Sequence, residues 1–536
     1  MARTRLLLSL LCVATAASRL RFHGQVGGDT LSRNSFAVDA ATSDATLFGS
    51  SSGPQVNYAF DGDESDDLDF EFELDLEDVD TTSKAQFAAA QQHAEVELDA
   101  RSGGNVAYAR PRTLQKIAPR TFNYGRGVGY ETTQAVQSDE LLFAVPLYQV
   151  MSLVSARKAR IGVLLEVNPN LPPAVALAMH LLEERFLGVE SNFSEYIERL
   201  SSIDAINSTI FYTQDELEML EGSQIYRVTV ARAKAVENFF SVLVGPVTSF
   251  AVDPPLFSKD EFTLENFRWA LGIVWSRAFS VSGAEEDIVL APVLDTIGAC
   301  MDDSGCPKNR IEVHPSAQQL LVYASKDYAP GQEVLMDMSD KASTVLMLNY
   351  GFTRIVPSRA LDQVDISIFL DPNDTLIDVK AFLLQSQNMS LNDSYVLHYG
   401  GEALDEKLTT SLKIKLLQGN EMGRFKDLLG VAAQAQAQDK DYTEPRRIVS
   451  LRNEYVFARA VLLTCKNLLQ QYPTTLEHDQ AALDAIQDPL GASRKTQILR
   501  MLVLEKQIVH HAMQLAQQQW TDLLLSDHPN LLRTDE

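Results

Sequence analysis

Cysteine is scarce in this chain, four residues among 536. No Cys-x-x-Cys pair occurs, so the roughly four ligands that a zinc site needs are not at hand, and no metal is assigned. Base is in deficit as well: 46 Lys and Arg face 72 Asp and Glu, a formal net charge of −26, with no Lys/Arg stripe. Phosphates would be repelled by such a surface, which excludes a nucleic-acid partner. Beyond a short N-terminal run, nowhere do about 18 apolar residues follow one another without charge, so the mature chain has no membrane span. Apolar residues themselves are plentiful, 45% of the chain, and supply cores for two or three folded units.

The first hundred residues are the part unsuited to a core. Met1 to Arg5 is basic, Leu6 to Ala17 is apolar or small, and Ala14 to Ser18 offers small residues for cleavage. That pattern reads as a signal peptide over residues 1–18 and predicts the secretory pathway, outside the cell or in the endoplasmic reticulum lumen, or through it a secondary plastid. Residues 19–105 read as an acidic disordered segment. Asp61 to Asp80 holds 12 acids among 20 residues and no base. Asp69-Phe-Glu-Phe-Glu-Leu-Asp-Leu-Glu77 alternates acid with apolar side chains and buries too little to order its backbone. Such a segment either solvates the chain or docks on a basic partner. Cys12 leaves with the signal peptide. Cys300 and Cys306, separated by Met-Asp-Asp-Ser-Gly, would close a small loop in an oxidising compartment, and Cys465 sits on an apolar helix face as a buried thiol. Sequons begin at Asn192, Asn207, Asn373, Asn388 and Asn392, in keeping with the same route.

From Arg110 the composition turns globular. Tyr124-Gly-Arg-Gly-Val-Gly129 suits a tight turn between short strands, and apolar runs end at Leu141-Leu-Phe-Ala-Val-Pro146. Pro173 to Leu187 repeats its apolar residues near a 3.6 period, places Glu183, Glu184 and Arg185 on the other face, and stops at Gly188. Thr213-Gln-Asp-Glu216 fits a capping box, followed by a helical pattern from Tyr226 to Leu243. Strands return at Ile288-Val-Leu-Ala, Leu320-Leu-Val-Tyr-Ala324 and Glu333-Val-Leu-Met336. Further on, Ile368-Phe-Leu370 reads as a strand, and Arg452 to Gln470 and Ser493 to Leu525 read as long amphipathic helices. His510 and His511 read as a solvated pair.

Several of these stretches occur in one telling order: Tyr124-Gly-Arg-Gly-Val-Gly129, Trp275-Ser-Arg-Ala-Phe279, Pro292-Val-Leu-Asp-Thr-Ile-Gly-Ala299, Gly331-Gln-Glu-Val334 and Asn349-Tyr-Gly-Phe352. Together they resemble SET-domain lysine methyltransferases of the Rubisco large-subunit type. Tyr472-Pro-Thr-Thr-Leu-Glu-His-Asp479 with Leu504-Glu-Lys506 resembles the substrate-binding domain that accompanies them. The resemblance implies an α+β protein: a β-rich SET fold over 106–355, a helical insertion at about 156–262, and an all-α domain over 356–530. It departs from the family at Asp295-Thr-Ile-Gly298-Ala299, where Asp-x-x-Asn-His is usual, at Met338-Ser339 for Tyr-Gly, and at Ser343 for Asn.

What the resemblance implies for the site is specific. Methyl transfer from a sulfonium to an amine is an in-line displacement, so a narrow channel must align the reactants, and Tyr350 is the residue that would line it. Gly127, Val128 and Gly129 would face S-adenosylmethionine, and Gly298 and Ala299 occupy the positions of the Asn-His pair, with the main chain of Ala299 still able to meet adenine. Arg277 would either pair with the cofactor carboxylate or form an internal ion pair, and Asp295 reads as structural. Two functions are compatible with these residues. In one, the protein is a monomeric enzyme that methylates a lysine or histidine of a protein held by the C-terminal domain. In the other, it is a catalytically impaired SET fold kept as a protein-binding module.

Overall fold

The computed structural model describes residues 116–122, 127–249, 255–281, 288–302, 305–368, 373–391, 393–422, 449–488 and 493–525. The signal peptide, the acidic segment, Tyr124 to Arg126 and the Asn392 sequon lie outside these residues. Among the described residues, ten short strands build the part that resembles a SET domain: β1 (Ile117–Phe122), β2 (Gly127–Thr132), β3 (Leu141–Pro146), β4 (Met151–Ser152), β5 (Phe279–Ser280), β6 (Ile288–Leu290), β7 (Gly298–Cys300), β8 (Arg310–His314), β9 (Gln319–Tyr323) and β10 (Glu333–Asp337). They form sheets ordered β1-β2-β10-β7, β3-β9-β8 and β4-β6-β5. The pairing is antiparallel except where β10 meets β7. Phe143, Val145, Leu320, Val322, Val334 and Met336 enter one core; β10 alternates buried with half-buried residues, whereas β3 and β9 are buried along consecutive positions.

Between β4 and β5 the chain is helical: α1 (Leu153–Lys158), α2 (Gly162–Val167), α3 (Pro173–Leu187), α4 (Gln214–Met219), α5 (Gln224–Ser249) and α6 (Leu264–Arg277). Pro173 presets the first turn of α3, and Gly188, at φ 57°, ends it. The capping box at α4 is present, with Thr213 and Glu216 exchanging backbone bonds. The helical stretch runs past residue 262 to Arg277, because the Thr263 side chain caps α6 and Phe267, Ala270, Leu271 and Val274 enter the insertion core. Glu183 departs from the expected outer face. It is 4% exposed, and its carboxylate accepts from the N–H groups of Arg160 (2.9 Å) and Ile161 (3.2 Å), where α2 begins. Satisfying those orphan donors outweighs solvation of the charge.

The C-terminal region comes after α7 (Ser343–Tyr350) and is helical: α8 (Ile377–Gln385), α9 (Glu406–Lys415), α10 (Leu451–Leu469), α11 (Leu476–Ala485) and α12 (Arg494–Leu525). One addition was not expected of an all-α domain. Strands β11 (Gln363–Ser367) and β12 (Ser394–His398) form a two-stranded antiparallel sheet, with Val364 opposite Leu397 and Ile366 opposite Tyr395. Of the strand expected over Ile368-Phe-Leu370, residues 369 and 370 lie outside the described residues, and the strand before them, β11, alternates apolar and polar residues. Along α12 the buried Ile498, Met501, Leu502, Glu505, Ile508, Val509 and Ala512 follow the helical period. Met347 and Leu348 of α7 belong to this same core. The Tyr472 to Asp479 motif is a structural tie. The Tyr472 hydroxyl donates to Glu505 Oε2 at 2.8 Å, and Lys506 donates to Thr474 Oγ1 at 3.0 Å and pairs with Asp479. His511 is not merely solvated, since its Nε2 lies 2.7 Å from the Gly401 carbonyl. Burial pushes the Cys465 thiol up to about 12. Among the described residues no helix is long and apolar enough to cross a membrane.

Candidate active site

Strand β10 lies between β2 and β7, so the fold brings Gly127 to Gly129 and Gly298 to Ala299 onto one sheet. Gly129 and Gly298 both abut Glu333 of β10. A Cβ at Gly298 would stand 2.9 Å from Leu335 Cδ2 and 3.0 Å from Glu333 Oε1, and one at Gly129 would stand 3.0 Å from the Phe122 ring. The glycines therefore make room for side chains of the neighbouring strands. Residue 298 is small for a packing reason that the sequence does not display, because it depends on register across β10.

Ala299 is placed differently. The Met338 N–H donates to the Cys300 carbonyl at 2.8 Å, so Cys300 and, by alternation, Gly298 face β10, and the N–H and C=O of Ala299 point away from it. Among the described residues β7 closes its sheet on that side, and these groups form its polar edge. Val128, 55% exposed, stands across the sheet on β2. The disulfide between Cys300 and Cys306 is present directly after the edge.

Arg277 ends α6 in an ion pair. Its Nη1 is 3.1 Å from Asp295 Oδ2, and its Nη2 donates to Ser201 Oγ at 2.9 Å. The Tyr196 hydroxyl donates to the same Asp295 oxygen at 3.1 Å. Burial raises the Asp295 carboxyl despite the guanidinium, and it raises the Tyr196 phenol, with the Asp295 charge adding to that effect. Of the two roles open to Arg277, this geometry is the internal pair. It holds the insertion to the segment that leads into β7.

Tyr350 ends α7 and is gripped from several sides. Gly351 has φ 78°, and a Cβ there would lie 2.1 Å from the Asn207 carbonyl oxygen. The Ser208 hydroxyl donates to the Leu348 carbonyl at 2.8 Å. Arg232, 1% exposed, donates to Asn349 Oδ1 at 2.7 Å and lies 4.5 Å from the Trp275 ring centre. At the other end of α7, Asp362 accepts from Ser343 N at 2.6 Å and Ser343 Oγ at 3.1 Å, which gives the Ser in place of Asn a partner of its own. Sequence reading missed Asn207, Arg232 and Asp362, because each acts over a long chain separation. Burial, helped by the Asp340 charge, pushes the Tyr350 hydroxyl up to about 12. It stays neutral near neutral pH, so it can orient a reactant but cannot serve as a base. A cavity of about 460 Å³ lies elsewhere, lined by Ile203, Phe211, Tyr212 and Arg268, with none of these site residues in its wall.

Comparison with known proteins meets this geometry at both ends. Residues 371–509 match the family model for the Rubisco LSMT substrate-binding domain. The crystal structure of the SET domain of LSMT bound to lysine and AdoHcy superposes with a TM-score of 0.61 at 21% identity, covering 77% of this chain and 90% of that one. The chain has the SET fold of the Rubisco LSMT type. A second SET-fold structure, Rubisco LSMT bound to AdoMet, gives a TM-score of 0.59 at 20% identity over 82% of this chain and 93% of that one. Sequence relatives include the actin-histidine N-methyltransferase of Rattus norvegicus, 23% identical over 73% of this chain and 63% of that protein. Another is the chloroplastic fructose-bisphosphate aldolase-lysine N-methyltransferase of Arabidopsis thaliana, 25% identical over 67% of this chain and 71% of that protein. The SET-fold chain thus spans a little under two thirds of the rat relative.

Proposed function

We propose that this protein is an S-adenosylmethionine-dependent protein methyltransferase acting on a lysine side chain. The observation that carries the reading is Tyr350: a half-buried side chain with a neutral hydroxyl on a helix end held by three separate contacts. The fit of the cofactor rests on the polar edge at Ala299, whose main-chain donor and acceptor suit an adenine ring, with Gly127, Val128 and Gly129 across the sheet. When bound, the cofactor supplies an electrophilic methyl group. The chain's own part is to orient. Tyr350 directs its hydroxyl into the channel beside the Phe352 ring, and the helical C-terminal region holds the protein that presents the amine. Arg277 and Asp295 fix the approach to β7.

The Cys300–Cys306 bond supports the further proposal that the protein works in an oxidising compartment of the secretory route. The test is direct. Tyr350→Phe should lower methyl transfer to a lysine peptide pool about tenfold or more while leaving cofactor affinity unchanged by calorimetry, since the hydroxyl acts in the transition state. If the parent protein neither binds the cofactor nor transfers methyl to lysine or histidine peptides, the impaired binding module is the correct reading.

A further inference from the structure

Arg354 lies two residues beyond Phe352 and is 3% exposed. Its Nη1 donates to the carbonyls of Ser339 (3.1 Å) and Lys341 (3.0 Å), and its Nη2 donates to the carbonyl of Met301 (2.5 Å). The first two acceptors belong to the turn that leads from β10 into α7. The third comes directly after Cys300, the last residue of β7. One buried guanidinium therefore ties the strand that carries Ala299 to the helix that carries Tyr350.

The described residues on either side of the turn after Met301 are tied to one another. Cys300 and Cys306 are bonded, the Asp302 N–H lies 3.2 Å from Cys306 Sγ, and Asn309 reaches back to donate to the Leu335 carbonyl of β10 at 2.9 Å. Among the described residues β7 pairs with β10 alone, over three register pairs. A strand that short, paired on one side, takes its position largely from the loop at its C-terminal end.

We propose that the Cys300–Cys306 bond and Arg354 form a redox-responsive clamp on the cofactor edge, so that S-adenosylmethionine binds tightly only while the bond is closed. The proposal rests on the reading of Ala299 given above. A dithiol reductant opens the bond in two exchange steps. One of its thiolates attacks a sulfur of the pair, the other protein sulfur leaves as a thiolate and takes up a proton, and the second dithiol sulfur then displaces the first protein sulfur. Two protein thiols and one oxidised cyclic dithiol result. The freed loop regains the conformations that closure had removed, Met301 no longer stays on Arg354, and Ala299 loses its fixed direction. Arg354 is a positioning residue here, since it acts through Met301.

The experiment compares the full chain, oxidised and reduced with dithiothreitol, by hydrogen–deuterium exchange over residues 298–302 and by calorimetric titration with S-adenosylhomocysteine. Reduction should speed exchange there and weaken binding on the order of tenfold. The Cys300→Ser/Cys306→Ser protein should match the reduced form with or without dithiothreitol, which removes any contribution from Cys465. Arg354→Lys, with the disulfide intact, should weaken binding in the oxidised state and shrink the response to dithiothreitol. Equal exchange in both states overturns the clamp, and so does faster exchange with unchanged affinity. Faster exchange with no binding in either state leaves the mechanical clamp standing and removes instead the assignment of Ala299 to the cofactor.

Discussion

The two ends of the candidate site are built to different standards. At the Tyr350 end, side chains from the insertion reach α7 at Leu348, Asn349 and Gly351, and α7 itself is sunk in the C-terminal core. At the Ala299 end, among the described residues, a three-residue edge strand hangs on one neighbour and a disulfide. The end that would handle the acceptor amine is over-determined, and the end that would seat the cofactor is adjustable. Departures from the family fall mainly at the adjustable end, where a changed side chain displaces few others.

The largest effect that sharpens this contrast is expected at Gly351. Gly351→Ala combines an unfavourable φ with a backbone clash against Asn207 and should cost about 4 kcal/mol or leave no folded protein. Denaturant unfolding checks it, and a loss under about 1 kcal/mol would mean that the Tyr350 end is no more rigid than the other.

The two cores that grip Tyr350 should answer to pH in opposite directions. His180 in the insertion is pushed down to about 4 by burial, with Ser155, Glu184 and Phe193 around it. The unfolded chain takes up a proton near pH 6.5 that the folded one refuses until about pH 4. Stability should therefore fall by about 3 kcal/mol as pH drops through that window, and His180→Gln should flatten the slope. Glu505 in the C-terminal core is pushed up to about 6, by burial first, against the hydrogen bonds of Ser223 and Tyr472 and the charge of Arg227. Here the folded state holds the proton longer. Its stabilising contribution is complete below about pH 4.5 and is lost as pH rises through 6, by about 2 kcal/mol, a trend that Glu505→Gln should erase. Thermal unfolding across pH 4 to 8 separates the two, and a Glu505→Gln protein that keeps the full alkaline loss would contradict the second assignment.

The smallest effect belongs to the Ala299 end. Gly298→Asn meets the tips of Leu335 and Glu333, which can swing away, so its cost should be about 1 kcal/mol. If instead it unfolds the protein as readily as Gly351→Ala, the two ends do not differ.

Much of this architecture was legible in the chain. Pro173 and Gly188 bound α3, Thr213 and Glu216 cap α4, and the ordered motifs around Tyr350 point to the fold. Illegible were the contacts made across long separations. Glu183 looked like a solvent-facing acid because its partners are backbone N–H groups more than twenty residues earlier. The β11–β12 pair has too few residues for its period to stand out from the helices around it. Nor did the chain show that Leu335 and Glu333 of β10 pack against Gly298.

The burial of α7 in the C-terminal core bears on how such proteins are inherited. A recombination point placed just after Phe352, where the last SET motif ends, would hand Met347 and Leu348 to one parent and their packing partners on α10 and α12 to the other. The offspring would hold Tyr350 on a helix whose buried face no longer matches its bed. The SET part and its helical companion would therefore pass down as one heritable unit.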